Sequence, residues 1–240
     1  MATIISFVSQ KGGVGKTTSA INLATAFAFG GYSVLMVDLD PHSSIRFSMG
    51  VQNNVSRGTL VFSPDTALPM SDLIQETGQE NMEFIFSNVE TLENERAVLE
   101  IGANATHLLE RINEVSDQYD FIVIDAPSST NNMAINAIYA SDLIILPLQC
   151  ENLAIKSLKR FLRSFNELKS IFPNKDLRLA GILLTMFDRK LEIHRRIGQQ
   201  IYKALSDSVF ETIIPRNEAI VESSALGKSV ITYNLSTIGA

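Results

Sequence analysis

The sequence predicts an α/β fold, a predominantly parallel twisted sheet with helices on both faces. Three observations carry this expectation. Apolar, β-branched runs of strand length recur along the chain with helical patterns between them. The runs are nearly continuous in apolar residues rather than alternating, as strands buried on both faces are. A glycine-rich segment joins the first run to the first helical pattern, which is the context of a phosphate-binding loop.

In chain order, "TIISFV" (3–8) reads as a buried strand. "KTTSAINLATAFAFGG" (16–31) reads as a helix stopped by two glycines. Further strands are expected at "SVLMVDLD" (33–40), "YDFIVIDAP" (119–127), "DLIILPL" (142–148), "LRLAGILLTMF" (177–187) and "VFETIIP" (209–215). Residues 50–116 are less regular. Loops are expected at 50–58 and 61–69, helices at about 68–77 and 103–116, and a short strand near 83–86. No repeat, low-complexity tract or interdomain linker interrupts the chain, so residues 1–240 are expected to form one domain.

Composition narrows the class. The 240 residues are 45% hydrophobic, ordinary for a globular protein. No window approaches the ~18 consecutive apolar residues of a membrane span. The N-terminus lacks the basic region and small-residue cleavage site of a signal peptide. Cys150 is the only cysteine, which excludes an intramolecular disulfide and a cysteine-ligated cluster within one chain. A cytosolic location is expected. The net charge of −6 conceals a split: residues 1–150 carry −11 and residues 151–240 carry +5. Such asymmetry hints at a polyanion-binding face in the second part.

The segment "SQKGGVGKTT" (9–18) carries the most chemistry. It ends as G-x-x-x-x-G-K-[ST] phosphate loops do, but Gln10 stands where the first glycine belongs and a second lysine, Lys11, precedes the glycine pair. Gly12, Gly13 and Gly15 let the backbone approach phosphate, with Val14 between them. The helix starting near Lys16 adds partial positive charge at its N-terminus. Lys16 is placed to reach the β- and γ-phosphates of ATP, Thr17 to ligate Mg²⁺, and Thr18 to complete the nucleotide contacts. Asp125 closes the apolar strand "FIVID", where a carboxylate is costly unless it serves a cation. In "VDLDP" (37–41), Asp38 and Asp40 share a face at a strand end. Asp38 is the candidate to help hold Mg²⁺ and Asp40 to position the attacking water.

"KGGVGKTT" resembles the deviant Walker A motif of the ParA/MinD family of P-loop ATPases. "VLMVDLDPHSS", "YDFIVIDAPSS", "ILPLQCE", "GILLTMFD" and "IIPRNEAIVESSALGKSVITYNLSTIGA" extend the resemblance over almost the whole chain, toward ParA rather than MinD. The resemblance implies an ATP-dependent sandwich dimer in which Lys11 crosses to the phosphates bound by the other subunit. A lysine supplied in trans acts as an arginine finger does, and makes nucleotide binding and dimerisation mutually dependent. It also places Pro215 and Asn217 beside the adenine. Three departures stand out: His42 and Ser43-Ser44 replace the family's usual residues in a switch loop, "APSS" replaces the usual Walker B ending, and the sequence stops one helix short of the family's usual length.

"NLAIKSLKRFLRSFNELKSIF" (152–172) reads as an amphipathic helix. Leu158, Phe161, Leu162, Phe165, Leu168 and Phe172 form its apolar stripe, and Lys156, Lys159, Arg160 and Arg163 occupy an arc of ~100° opposite. A second basic cluster holds Arg189, Lys190, Arg195, Arg196 and Lys203. The resemblance implies that such residues bind nonspecific double-stranded DNA in the ATP dimer, through phosphates and counterion release. His42 and His194 read as surface residues. The resemblance further implies a ParB-like or other cargo-adaptor protein that stimulates hydrolysis, a prokaryotic cytoplasmic location on the nucleoid when ATP is bound, and no membrane. Three alternatives stay open: a MinD-like membrane ATPase, which needs a C-terminal amphipathic helix; a metabolic or electron-transfer enzyme on the same scaffold, such as an amidoligase or the nitrogenase iron-protein type; and a scaffold that binds ATP without hydrolysing it.

Overall fold

Strand propensity and burial decide the architecture here. The computed structural model describes residues 1–42, 44–51, 58, 68–89, 91, 94, 96, 104–128, 131–172 and 176–240. Most of the expected loops at 50–58 and 61–69 lies outside these residues. The elements in order are β1 (Thr3–Phe7), α1 (Lys16–Phe29), β2 (Val34–Asp38), α2 (Ser44–Ser48), β3 (Gln75–Glu76), β4 (Met82–Ile85), α3 (His107–Asn113), β5 (Phe121–Asp125), α4 (Asn132–Ala140), β6 (Leu143–Gln149), α5 (Ala154–Ile171), β7 (Arg178–Phe187), α6 (Glu192–Leu205), β8 (Val209–Pro215), α7 (Glu218–Ala225) and α8 (Val230–Tyr233).

Among the described residues the strands form one sheet in the order β3-β4-β2-β5-β1-β6-β7-β8. Only the β3–β4 pair is antiparallel; the others are parallel. The long strands match their expected positions. The irregular stretch does not match throughout: the helix expected at 68–77 is a short 3-10 turn, Met70–Leu73, followed by β3. β3 pairs with β4, and an edge-strand pairing of this kind leaves no periodic signature in sequence. The helix expected at 103–116 is shorter, His107–Asn113.

Alternate side chains of each strand enter opposite cores. Ile4, Leu35, Val37, Ile122 and Ile124 face the layer containing α4, α5 and α6. Ile5, Phe7, Val34, Met36 and Val123 face α1. Ala20, Ala24 and Ala28 line the buried stripe of α1 and let it lie close to the sheet. On α5, Leu158, Phe161 and Phe165 are buried, while Leu162 and Leu168 pack at the margin. Parallel strands put their carboxyl ends on one edge, so the loops after β1, β2 and β5 open together there.

The C-terminal segment is tied to the first helix and to α2. Asn22 of α1 donates to the Thr18 carbonyl, and its Oδ1 accepts from Ser229 Oγ and the Val230 amide, at 2.7, 2.7 and 2.9 Å respectively. Gly227 has φ +68°, and a Cβ there would lie 2.7 Å from the Gly50 Cα. Both the backbone sign and the contact require glycine. Gly227→Ala is therefore expected to cost roughly 2 kcal/mol or more. Urea denaturation measures this, and an unchanged midpoint would mean that the two backbones do not touch in solution.

Candidate nucleotide site and basic surface

The loop after β1 gets its shape from positive-φ glycines and from bracing by neighbours. Gly13 and Gly15 have φ of +72° and +80°. Gly15 is the N-cap of α1, where no side chain caps the helix and no acidic residue sits in the first turn. The amides and dipole of that helix end are thus left for an anion. Thr185 on β7 donates to the Val14 carbonyl at 2.8 Å and pins the loop to the sheet. Ser9 Oγ accepts the Lys11 amide and donates to the Lys11 carbonyl, making a local turn before Gly12.

Lys16 is only 5% exposed, and its Nζ lies 3.4 Å from Asp125 Oδ1 and 3.6 Å from Asp40 Oδ2. Thr17 Oγ1 donates to Asp125 Oδ2 at 2.5 Å. The sheet register sets Asp38 and Asp125 as partners at the ends of β2 and β5. Asp38 accepts the amides of Asp40 and Ile45, at 3.0 and 3.2 Å, and so shapes the loop entering α2. Asp40 in turn accepts the His42 amide at 3.1 Å. The expected residues Lys16, Thr17, Asp38, Asp40 and Asp125 are therefore gathered at one point.

The charges at that point do not balance: Lys16 contacts Asp40 and Asp125, and Asp38 adds a third buried carboxyl beside Asp125. Burial first, and then the neighbouring Asp125 charge, raise the Asp38 carboxyl well above its usual range. Asp125 is also raised, by burial, against the opposing pull of Lys16 and the Thr17 hydroxyl. Crowded buried carboxyls beside a hydroxyl are hard oxygen donors whose mutual repulsion a small hard cation would relieve. The residues fit Mg²⁺, which Thr17, Asp38 and Asp125 would hold. Among the described residues no three His, Cys, Asp or Glu side chains could cage a metal alone; Mg²⁺ commonly keeps waters and shares phosphate oxygens instead.

Pro215 and Asn217 line a cavity of about 560 Å³ together with Gly15, Thr18 and Met186. That volume suits a small-molecule site. The Asn217 Oδ1 caps α7 by accepting the Ala219 amide at 2.8 Å, which leaves the Nδ2 hydrogens to address a ligand. Met186 was not foreseen from sequence. Its φ of +49° is unusual for an unbranched, bulky residue, and strain of this kind gathers at functional sites. Thr185 was equally invisible, because its role depends on β7 lying beside the loop.

Lys11 stands apart from Lys16. It is half-exposed and pairs with Glu151, also half-exposed, just past the end of β6. All nine basic candidates are exposed: Lys156, Lys159, Arg160 and Arg163 on α5, Arg189 and Lys190 in the turn before α6, and Arg195, Arg196 and Lys203 on α6. Arg189 and Lys190 border a cleft of about 620 Å³ shared with Arg216, a third cation outside both basic clusters of the sequence. Arg195 and Lys203 border a separate groove along β8. His42 is exposed as expected, but His194 is buried. Its Nδ1 accepts the Asp188 amide at 3.0 Å, and its ring packs beside Phe187 on the inner face of α6. Cys150 is fully buried and its thiol is pushed up to about 11 by that burial, so it is not placed to bridge subunits.

The raised carboxyls make a pH prediction. A carboxyl raised in the folded state contributes stability that is complete below its unfolded value, 3.8, and lost as pH rises through the folded value. A divalent cation binding the ionised pair offsets that loss. The thermal shift produced by Mg²⁺ with ADP should be larger at about pH 8 than at about pH 5. Equal shifts would mean that Asp38 and Asp125 do not titrate against the metal.

Comparison with known proteins agrees with this geometry. The family described as AAA domain matches residues 2–179. The chain is 33% identical over 241 residues to the sporulation initiation inhibitor protein Soj of Bacillus subtilis, covering 100% of this chain and 94% of that one. It is 31% identical to the chromosome partitioning protein ParA of Myxococcus xanthus, over 98% of this chain and 83% of the relative. The septum site-determining protein MinD of Pyrococcus horikoshii, solved with Mg-ADP, superposes with a TM-score of 0.79 at 27% identity, covering 100% and 92% of the two chains. Glycine loop, buried lysine, strand-end carboxylates and these full-length likenesses converge, and the chain belongs to the ParA family of P-loop ATPases.

Proposed function

We propose that this protein is a positioning ATPase that cycles between monomer and ATP-bound dimer, rides nonspecific DNA as the dimer, and is released when a partner stimulates hydrolysis. The cargo is DNA or another large assembly, and the setting is the cytoplasm of a prokaryotic cell. The observation that carries this reading is the division of labour between two lysines. Lys16 is buried against Asp40 and Asp125 at the helix N-terminus, whereas Lys11 is at the surface and, among the described residues, pairs with Glu151.

The chemistry follows from their positions. Lys16 exchanges its carboxylate partners for the β- and γ-phosphates of ATP, and the α1 amides bind the same anion. Mg²⁺, when bound, supplies neutralisation of the phosphoryl oxygens. Asp40, released from Lys16, orients the attacking water. Lys11 leaves Glu151 and reaches the phosphates of the facing subunit, so the full set of positive charges exists only in the dimer. Exposed cations on α5, on α6 and in the turn between β7 and α6, with Arg216 beside them, contact DNA phosphates. Doubling that surface makes DNA affinity depend steeply on dimerisation.

Lys11→Ala should retain ATP binding, lose the ATP-dependent dimer in light scattering, and lower hydrolysis by roughly 10³-fold. Normal dimers would refute the trans role. The direct test of the whole reading is binding to random duplex DNA without nucleotide, with ADP, and with ATP and Mg²⁺, at two salt concentrations. Binding is expected only with ATP and should fall steeply with salt. Arg195→Glu with Arg196→Glu should weaken it at least about tenfold while sparing basal ATP hydrolysis. Absence of DNA binding in every state would discard the DNA step.

A further inference from the structure

α2 presents one side chain that its own packing does not explain. Ile45 is 1% exposed, anchoring the turn in the core, but Phe47 two residues later is 64% exposed. Its ring, with Ser48, lines the same 560 Å³ cavity as Gly15, Thr18, Pro215 and Asn217. The Arg46 guanidinium lies over that ring, 5.0 Å from its centroid. The mount is stiff at both ends. Before the ring, the Ile45 amide is held by Asp38; after it, Gly50 lies against Gly227. A phenyl ring held in this way over a cavity at the edge of a phosphate loop is a stacking platform.

We propose that Phe47 is the aromatic wall of the base subsite, on which a purine ring packs while Asn217 addresses the polar edge of the base. This rests on the nucleotide reading above and adds to it a residue outside the phosphate loop. A base laid on the ring away from Arg46 completes a guanidinium–phenyl–purine stack. The contact also has a consequence for switching. α2 is held by Asp38, one of the metal-site carboxylates, and follows the loop that carries Asp40. A bound base therefore steadies the segment that positions water, and a bare triphosphate does not.

The chain contains no tryptophan, so Phe47→Trp installs a single reporter. Its emission should be quenched by Mg²⁺ with ADP and unchanged by Mg²⁺ with tripolyphosphate at a concentration that displaces ADP. Phe47→Ala should weaken ADP about tenfold and leave tripolyphosphate affinity within about twofold. Unchanged ADP affinity in Phe47→Ala, or unchanged Phe47→Trp emission at saturating ADP, would overturn the base wall while leaving the phosphate site intact. Failure of the wild-type protein to bind either ligand would overturn the nucleotide reading and the base wall together.

Discussion

One buried cation organises the carboxyl edge of the sheet. Lys16 sits against Asp40 and Asp125 with almost no solvent, and Asp38 lies buried beside Asp125. A charge so placed is stable only with partners, and three buried carboxyls with one buried lysine leave negative charge in excess. Under the proposed function, such a site favours ligands that bring charge of both signs, a phosphate chain for the lysine and a divalent cation for the carboxylates. Everything that fixes the edge serves this cluster: the parallel register of β1, β5 and β2, the left-handed glycines of the loop, and the brace from Thr185.

The same cluster is wired outward. Asp38 accepts amides from Asp40 and Ile45, so the carboxylate beside the metal position also sets the path into α2. α2 ends near Gly50, whose backbone meets Gly227 at the turn after α7. α7 follows its cap Asn217, which lines the 560 Å³ cavity, and the segment beyond it returns to α1 through Asn22. A ligand spanning the phosphate loop and the base cavity thus touches a ring of elements rather than isolated side chains.

The surface of α5, α6 and the turn between them shows the opposite design. Ten exposed cations, Lys169 among them, flank apolar stripes whose central residues are buried and whose margins are partly so. Their charge does not help the fold; it stands against the acidic character of the N-terminal part. The pairing of Lys11 with Glu151 lies between these two regimes, a half-exposed surface ion pair.

Much of this was readable from the chain. Local spacing fixes a phosphate loop, because Gly12 to Thr18 are contiguous and their chemistry is set by backbone freedom and helix polarity. Apolar runs gave the strands, and helical periodicity gave the buried and basic faces of α5. The irregular 68–77 stretch was misread as a helix, since β3 exists only through its pairing with β4. His194 was misread as a surface residue, because its partner is a backbone amide at Asp188 and its burial depends on how α6 meets Phe187. Met186, Thr185, Arg216 and Phe47 went unnoticed for the same reason. The sequence by itself determined which residues could carry charge, turn the backbone or bury apolar surface. Only the tertiary structure decided which of them meet, because parallel pairing brings residues more than a hundred positions apart into hydrogen-bond range, and no local pattern encodes that distance.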